Sequence, residues 1–218
     1  MNNEHKQRQA AIVTGGALGE WALPYIRSSD YIIGADSGAA FLVRHGIAPD
    51  LAVGDFDSVA EAQLPAIRAA AREWQAVDAV DKDWTDTEMA VRTALDRGFD
   101  RIMIIGGLGT RFDPALANVY LLKLAQERGA EAELIDAHNK IRLCTRECRL
   151  QPDEQFPYVS LLPLTPIVRG ITLSGLQYPL HNATIRLGET IGISNRLQAA
   201  EGIVSLDEGQ LLVIRSRD

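Results

Sequence analysis

The feature that most constrains the fold is an alternation of short apolar runs with helix-type patterns over the first two thirds of the sequence. Most of these runs end in Gly or Asp, and a helical pattern usually follows. Short buried strands separated by helices are typical of a parallel sheet covered on both faces, so we predict an α/β domain with a Rossmann-like sheet. The apolar runs lie at residues 10–13, 31–33, 51–53, 77–80 and 101–105.

Three segments of this region predict helices. Residues 64–74 are rich in Ala and Arg and carry a proline in their first turn, which helices tolerate. The run Thr85-Asp86-Thr87-Glu88 has the form of a capping box, in which the Thr hydroxyl accepts from the backbone of the Glu. Asp113 followed by Pro114 indicates an N-cap and a first helical residue.

The pattern changes after about residue 141. Helical periodicity ends, prolines cluster, and short β-type runs follow one another closely, which indicates a small antiparallel sandwich or barrel. We therefore predict an α/β domain over residues 1–145 and a β-rich domain over residues 146–218, with the boundary between about 141 and 155. The runs are at residues 159–162, 167–173, 183–187, 203–206 and 210–214.

Composition narrows the class of partner. The net charge is −7 and the pI about 5.2, whereas proteins that bind nucleic acid or membrane surfaces are usually basic. No apolar run approaches the roughly 20 residues that a bilayer requires, and the polar N-terminus lacks a signal-peptide core. Cys144 and Cys148 alone cannot complete a zinc site. We expect a soluble cytoplasmic protein without nucleic-acid or membrane partners.

Acidic residues recur at the ends of predicted strands or at helix starts. The carboxyl ends of parallel strands meet at one edge of a sheet, where ligands bind, so folding should gather these acids there. Clustered carboxylates repel one another unless a cation is present, and magnesium on a polyphosphate supplies one. The acids are Asp36, Asp55, Asp57, Asp83, Asp86 and Asp113.

The segment Gly54-Asp55-Phe56-Asp57-Ser58 has the sharpest pattern. On an extended segment, residues two apart face the same side, so Asp55 and Asp57 could hold one metal ion while Phe56 turns inward. The alternative is that Asp57 and Ser58 only cap the next helix.

Two further segments combine charge with a helix start. Lys82 and Asp83 precede the capping box and could contact phosphate, whereas Asp86 is also explained by the helix dipole alone. Residues 106–113 follow a buried strand. They contain three glycines, which allow the backbone to approach a ligand, and Arg111, whose side chain can bind phosphate through two hydrogen bonds. That loop lacks the Lys-Ser/Thr ending of a Walker motif, and a simple turn with a surface arginine is the alternative.

Taken in order, these segments resemble the thiamine pyrophosphokinase family. Four acidic or glycine-rich motifs in the expected sequence are highly specific, and the similarity spans nearly the whole chain. The matching pieces are residues 34–39 (GADSGA), 46–58 (GIAPDLAVGDFDS), 81–90 (DKDWTDTEMA), 106–118 (GGLGTRFDPALAN), 175–180 (GLQYPL) and 192–195 (GISN).

The resemblance implies pyrophosphate transfer from ATP to thiamine, with Mg²⁺ as cofactor, in a homodimer whose active sites lie at the subunit interface. It implies that Asp55, Asp57, Asp83 and Asp86 hold magnesium and the polyphosphate. It also implies a role for two further sets of residues. The ATP site would be lined by Asp36, Lys82, Arg111, Asp113 and Asn118, and thiamine would be contacted by Tyr178, Ser194 and Asn195.

The sequence departs from the family pattern at two positions. The family usually has a third Gly before the Arg and a His after the Asp, where this chain has Thr110 and Pro114. A weak or inactive relative that binds thiamine or nucleotide is therefore one alternative. The other is a metal-dependent glycosyltransferase, which also uses an Asp-x-Asp motif but does not explain residues 82–86 or the β-rich module.

Overall fold

The computed structural model describes residues 7–76 and 83–218, which belong to two units. The first unit ends at Ala137, and the second is His138–Asp218. The units thus divide earlier than the boundary expected from the sequence at 145/146. The reason is strand Asn139–Cys144, which pairs antiparallel with Leu211–Ser216 near the end of the chain and so belongs to the second unit.

The first unit is the predicted α/β domain. Its sheet has the strand order β6-β5-β1-β2-β3-β4, and every neighbouring pair is parallel. The strands are β1 (Gln9–Val13), β2 (Tyr31–Ala35), β3 (Leu51–Gly54), β4 (Glu73–Ala76), β5 (Arg101–Ile105) and β6 (Glu131–Ile135). The helices are α1 (Leu23–Arg27), α2 (Ser37–Arg44), α3 (Leu64–Ala70), α4 (Asp86–Asp96) and α5 (Phe112–Glu127).

Two helix boundaries differ from the sequence expectation. The helix expected over residues 64–74 ends at Ala70, because Trp74 lies in β4 and its ring stacks on Phe56 at 4.1 Å between centroids. Helix α5 begins with Arg111 as N-cap, so Asp113 lies in its first turn, where an acid complements the helix dipole. The apolar run at 77–80 lies outside the described residues.

The start of α4 is as predicted. Thr85 is the N-cap, and its Oγ1 accepts a hydrogen bond of 3.2 Å from the backbone N–H of Glu88.

Among the described residues, no helix combines the length and apolar character needed to cross a bilayer.

The second unit consists of antiparallel strands, as the closely spaced β-type runs predict. They pair in two sets, in the orders β12-β9-β14-β7 and β11-β10-β13-β8. Apolar side chains from both sets of strands pack in one buried cluster. The strands are β7 (Asn139–Cys144), β8 (Glu147–Leu150), β9 (Tyr158–Pro163), β10 (Ile167–Ser174), β11 (Leu180–Arg186), β12 (Asn195–Arg196), β13 (Gly202–Ser205) and β14 (Leu211–Ser216).

Candidate active site

Three carboxylates of the first unit meet where β2 and β3 end. Asp36 directly follows β2, while Asp55 and Asp57 follow β3. One carboxylate oxygen from each of the three lies within 4.8 Å of the others. All three ligands are oxygen atoms, the donor type that Mg²⁺ prefers, so the residues present fit a hard divalent cation. Asp36, for which the family resemblance implies a place in the ATP site, thus lies with the two acids of the Asp-x-Asp motif.

Asp55 and Asp57 are brought together by a turn and not by an extended segment. Phe56 between them has a positive φ of 59°, is 5% exposed and stacks on Trp74. The backbone N–H of Asp57 donates to Oδ1 of Asp55 at 3.1 Å. The expected period-two spacing was therefore wrong in detail, although Phe56 does turn inward as expected.

The capping alternative for Asp57 and Ser58 is contradicted. The short 3-10 helix that follows, Glu61–Gln63, has Ala60 as its N-cap and no side-chain capping hydrogen bond. Ser58 instead donates from Oγ to Oδ2 of Asp36 across 22 positions of sequence.

Asp36 is held in an uncommon backbone conformation, with φ 51° and ψ −124°. Its N–H donates to the carbonyl of Val53 at 2.9 Å, which ties the end of β2 to β3. Its Oδ1 is buried and has no hydrogen-bond partner in residues 7–76 and 83–218. Strained backbone clusters at active sites and ligand clamps, and an unsatisfied buried oxygen requires an explanation, of which a bound ion is one. A cation would satisfy that oxygen.

Asp86 approaches the same edge from the first residue of α4. A Cβ on Gly54, whose φ is 143°, would lie 3.3 Å from Oδ1 of Asp86 and 3.2 Å from the backbone nitrogen of Asp36. Glycine at this position therefore lets Asp86 pack against the end of β3 beside Asp36. Asp83 is exposed in the turn before α4, and Lys82 lies outside the described residues.

The loops after β1 and β5 complete this edge. A Cβ on Gly16 would lie 1.8 Å from the carbonyl oxygen of Gly106, so only glycine permits the contact. Asn118, 7% exposed, donates from Nδ2 to the carbonyl of Gly107 at 2.8 Å and fixes the loop from inside. Gly16 was not among the expected site residues, although a Gly pair one residue after a buried strand is the signal that could have identified it.

Arg111 and Asp113 lie on the exposed side of the glycine loop. They form an ion pair in which Arg111 Nη2 is 2.6 Å from Asp113 Oδ2, and both side chains are exposed. Such a pair contributes little to stability in water. Each group is therefore available to exchange its partner for a ligand.

In the second unit, Asn195 and Tyr178 are joined by the carboxamide of Asn195. Oδ1 of Asn195 accepts from the N–H of Tyr178 at 3.0 Å, and Nδ2 donates to its carbonyl at 2.7 Å. Asn195 is 4% exposed whereas Tyr178 is 59% exposed, so the buried amide holds the backbone that presents the ring. Ser194 is exposed, has a φ of 58°, and donates its N–H to Oγ of Ser160 at 3.0 Å.

Comparison with known proteins bears directly on these features. Residues 23–134 match the thiamin pyrophosphokinase catalytic domain, and residues 147–211 match the thiamin pyrophosphokinase vitamin B1 binding domain. The chain belongs to the thiamin pyrophosphokinase family. The similarity inferred from the sequence motifs is thereby confirmed, and both domains of the family are present in the expected order.

Individual relatives agree with the assignment to the thiamin pyrophosphokinase family. The chain is 38% identical over 187 residues to thiamine pyrophosphokinase of Bacillus subtilis, covering 85% of this chain and 87% of that protein. The crystal structure of thiamine pyrophosphokinase from Bacillus subtilis superposes with a TM-score of 0.88 at 36% identity, over 97% of this chain and 100% of that one. The crystal structure of thiamin pyrophosphokinase from Geobacillus thermodenitrificans superposes with a TM-score of 0.85 at 32% identity, over 96% of this chain and 98% of that one.

Proposed function

We propose that the chain transfers the pyrophosphate group of ATP to the hydroxyl of thiamine, giving thiamine diphosphate and AMP. The observation that carries the proposal is the meeting of Asp36, Asp55 and Asp57, with the buried oxygen of Asp36, at the ligand-binding edge of a sheet. That edge belongs to a chain that matches both domains of the family. The glycosyltransferase alternative explains neither the second domain nor its match.

In the proposed reaction, the thiamine hydroxyl oxygen forms a bond to the β-phosphorus of ATP. The bond from that phosphorus to the oxygen bridging the α- and β-phosphates breaks, and AMP leaves. This chemistry requires positioning and charge compensation more than a covalent intermediate. The hydroxyl proton is lost to a base, for which the aspartates at this edge are the candidates.

Asp55, Asp57, Asp83 and Asp86 would hold Mg²⁺ and the polyphosphate, and Asp36 would add a further carboxylate beside Asp55 and Asp57. Bound magnesium supplies positive charge that offsets the charge of the phosphate oxygens. The residues around it align ATP. Arg111 exchanges Asp113 for phosphate, Lys82 adds a second cation, and Asn118 supports the site through its hydrogen bond to Gly107.

Thiamine would be bound by the second unit. The exposed ring of Tyr178 offers a stacking surface for an aromatic heterocycle. Ser194 precedes Asn195, whose side chain accepts a hydrogen bond from the backbone N–H of Tyr178. Asn195 would act on thiamine binding indirectly, by positioning Tyr178, because its carboxamide is already hydrogen-bonded to the backbone of that residue.

We also propose that two chains form a homodimer in the cytoplasm, each active site combining the first unit of one chain with the second unit of its partner. Exposed apolar side chains in the second unit support a protein interface: Leu187, Ile191 and Ile193 are 66%, 71% and 49% exposed. Mixing an Asp57→Asn chain with a Tyr178→Ala chain should restore more activity than the sum of the two alone. A monomer by light scattering, or no gain on mixing, contradicts the shared site.

The direct test combines purified protein with thiamine, ATP and Mg²⁺, and separates the products by chromatography. Thiamine diphosphate and AMP should appear in equal amounts and disappear with EDTA. ADP in place of AMP would indicate transfer of a single phosphoryl group. Binding of both ligands without product would favour the inactive relative, with Pro114 as the first position to change to His.

A further inference from the structure

We propose that Ser58 is a positioning residue for the metal site: its hydroxyl fixes the Asp36 carboxylate so that the buried Oδ1 faces the cation. The inference rests on the proposed function in that the carboxylate cluster binds magnesium there. Ser58 is not a helix cap, because the short helix that follows has Ala60 as its N-cap.

The first observation is the division of labour between the two oxygens of Asp36. Oδ2 accepts the hydrogen bond from Ser58 Oγ, whereas Oδ1 is buried without a hydrogen-bond partner in the described part of the chain. A carboxylate has several acceptor sites, and leaving one buried oxygen without a donor is costly. A site that supplies a donor to one oxygen and none to the other is suited to a cation on the second.

The second observation is that the backbone of Asp36 is already fixed. Its N–H is bonded to Val53 and its φ is 51°, so the remaining freedom is rotation of the side chain. The hydrogen bond from Ser58 Oγ to Oδ2 of Asp36 restrains this rotation. Because one carboxylate oxygen of Asp36 must stay within 4.8 Å of the ligand oxygens of Asp55 and Asp57 for all three to share an ion, losing the restraint should weaken metal binding.

The third observation separates this role from a structural one. Ser58 is exposed, in the turn that follows Asp57, so its hydroxyl fills no part of the core. Replacing an exposed serine away from special features usually changes stability little. A large effect on the metal with a small effect on folding is therefore the signature of positioning.

The experiment measures Mn²⁺ binding by electron paramagnetic resonance, with an ATP analogue whose α–β bridging oxygen is a methylene group. The variants are Ser58→Ala, Ser58→Cys and Ser58→Thr, and the control is Ser28→Ala, an exposed serine that donates to the carbonyl of Tyr25 at 2.9 Å. We expect the Mn²⁺ dissociation constant to rise roughly tenfold in Ser58→Ala and Ser58→Cys, as for other groups that orient metal ligands. Ser58→Thr and Ser28→Ala should bind as the unchanged protein does.

The Mg²⁺ concentration for half-maximal AMP release should shift in parallel, with the melting temperature unchanged. Unchanged Mn²⁺ affinity in Ser58→Ala, or equal weakening in Ser58→Thr, overturns the inference. If Ser58→Ala does not fold, Ser58→Cys decides, since it keeps the size and lacks a strong donor. If the unchanged protein binds Mn²⁺ but forms no thiamine diphosphate, the proposed function fails while the role of Ser58 still stands or falls on the binding data.

Discussion

The two edges of the parallel sheet carry the same kinds of side chain in opposite arrangements. At the amino-terminal edge, three acids have a donor beside them: Asp50 is 2.9 Å from Arg72, Glu73 is 2.6 Å from Arg97, and Asp30 accepts from the N–H of Gln9 at 2.9 Å. At the carboxyl-terminal edge, like charges gather: carboxylate oxygens of Asp36, Asp55 and Asp57 lie within 4.8 Å of one another.

The difference shows how one sheet separates stability from function. Paired charges at the amino edge satisfy each other within the chain and need nothing further. Like charges gathered at the carboxyl edge repel, and the arrangement costs free energy until a cation arrives. Backbone strain follows the same division, since Asp36 and Phe56, with φ of 51° and 59°, both lie at the carboxyl edge. Substitutions at the two edges should therefore have opposite consequences.

The largest expected effect is on turnover. Asp57→Asn removes one charge from the carboxylate cluster, so AMP release should fall by about 100–1000-fold, as when other groups that stabilise charge in a transition state are lost. The melting temperature should hold or rise, because Asp57 is exposed and a repulsive contact is relieved.

The matched control at the amino edge is Asp50→Asn, which weakens an ion pair to Arg72 and a hydrogen bond to the N–H of Ile32 at 2.8 Å. Its melting temperature should fall while turnover stays near that of the unchanged protein. If Asp57→Asn retains turnover, or if Asp50→Asn loses turnover without loss of stability, the division between the edges is wrong.

The carboxyl edge could be predicted from sequence because topology alone determines it. Apolar runs that end in Gly or Asp and alternate with helices specify a parallel sheet, and the ends of neighbouring strands must then meet. This placed Asp36 beside Asp55 without any knowledge of their contacts. The family motifs added the residue roles that spacing could not supply.

Contacts between distant positions could not be predicted in this way. The hydrogen bond from Ser58 to Asp36 spans 22 positions, and that from Tyr178 to Asn195 spans 17. Neither has a local pattern, since each depends on how two loops pack. The turn at Phe56, which has a positive φ, could not be predicted either, since the Phe56 ring stacks on Trp74, which the sequence pattern placed in a helix.

The second unit sharpens the comparison with an intermediate effect. Like the acids of the amino edge, Asn195 is hydrogen-bonded within the chain, and it is buried. Its partner Tyr178, however, is exposed to solvent. Asn195→Ala should lower the free energy of unfolding by about 1–3 kcal/mol through lost hydrogen bonds, and should also raise the KM for thiamine more than it lowers kcat.

Urea unfolding and steady-state kinetics measure the two effects of Asn195→Ala, with the exposed Gln198→Ala as control. A change in stability without a change in thiamine KM would make Asn195 purely structural and separate it from the thiamine site.

The smallest effect concerns Tyr31, whose hydroxyl shares the amino edge with Glu73 and Arg97. Burial raises the pKa of Tyr31 from 10.0 to about 12, with the charge of Glu73 adding to the shift and that of Arg97 opposing it. The folded protein therefore keeps the phenol proton where the unfolded chain has lost it. The resulting stability is fully present below pH 10 and is lost as the pH rises towards 12.

Tyr31→Phe removes this titration, so the advantage of the unchanged protein over the variant should shrink between pH 10 and pH 12. Urea unfolding at pH 8, 10, 11 and 12 measures the difference, and subtracting the two curves cancels the titration of other groups. Thiamine diphosphate formation at neutral pH should be the same in both proteins, since Tyr31 begins β2 at the edge opposite to Asp36. Parallel stability curves would show that the Tyr31 hydroxyl is solvated like a surface tyrosine, and the amino edge would then owe its stability to the ion pairs alone.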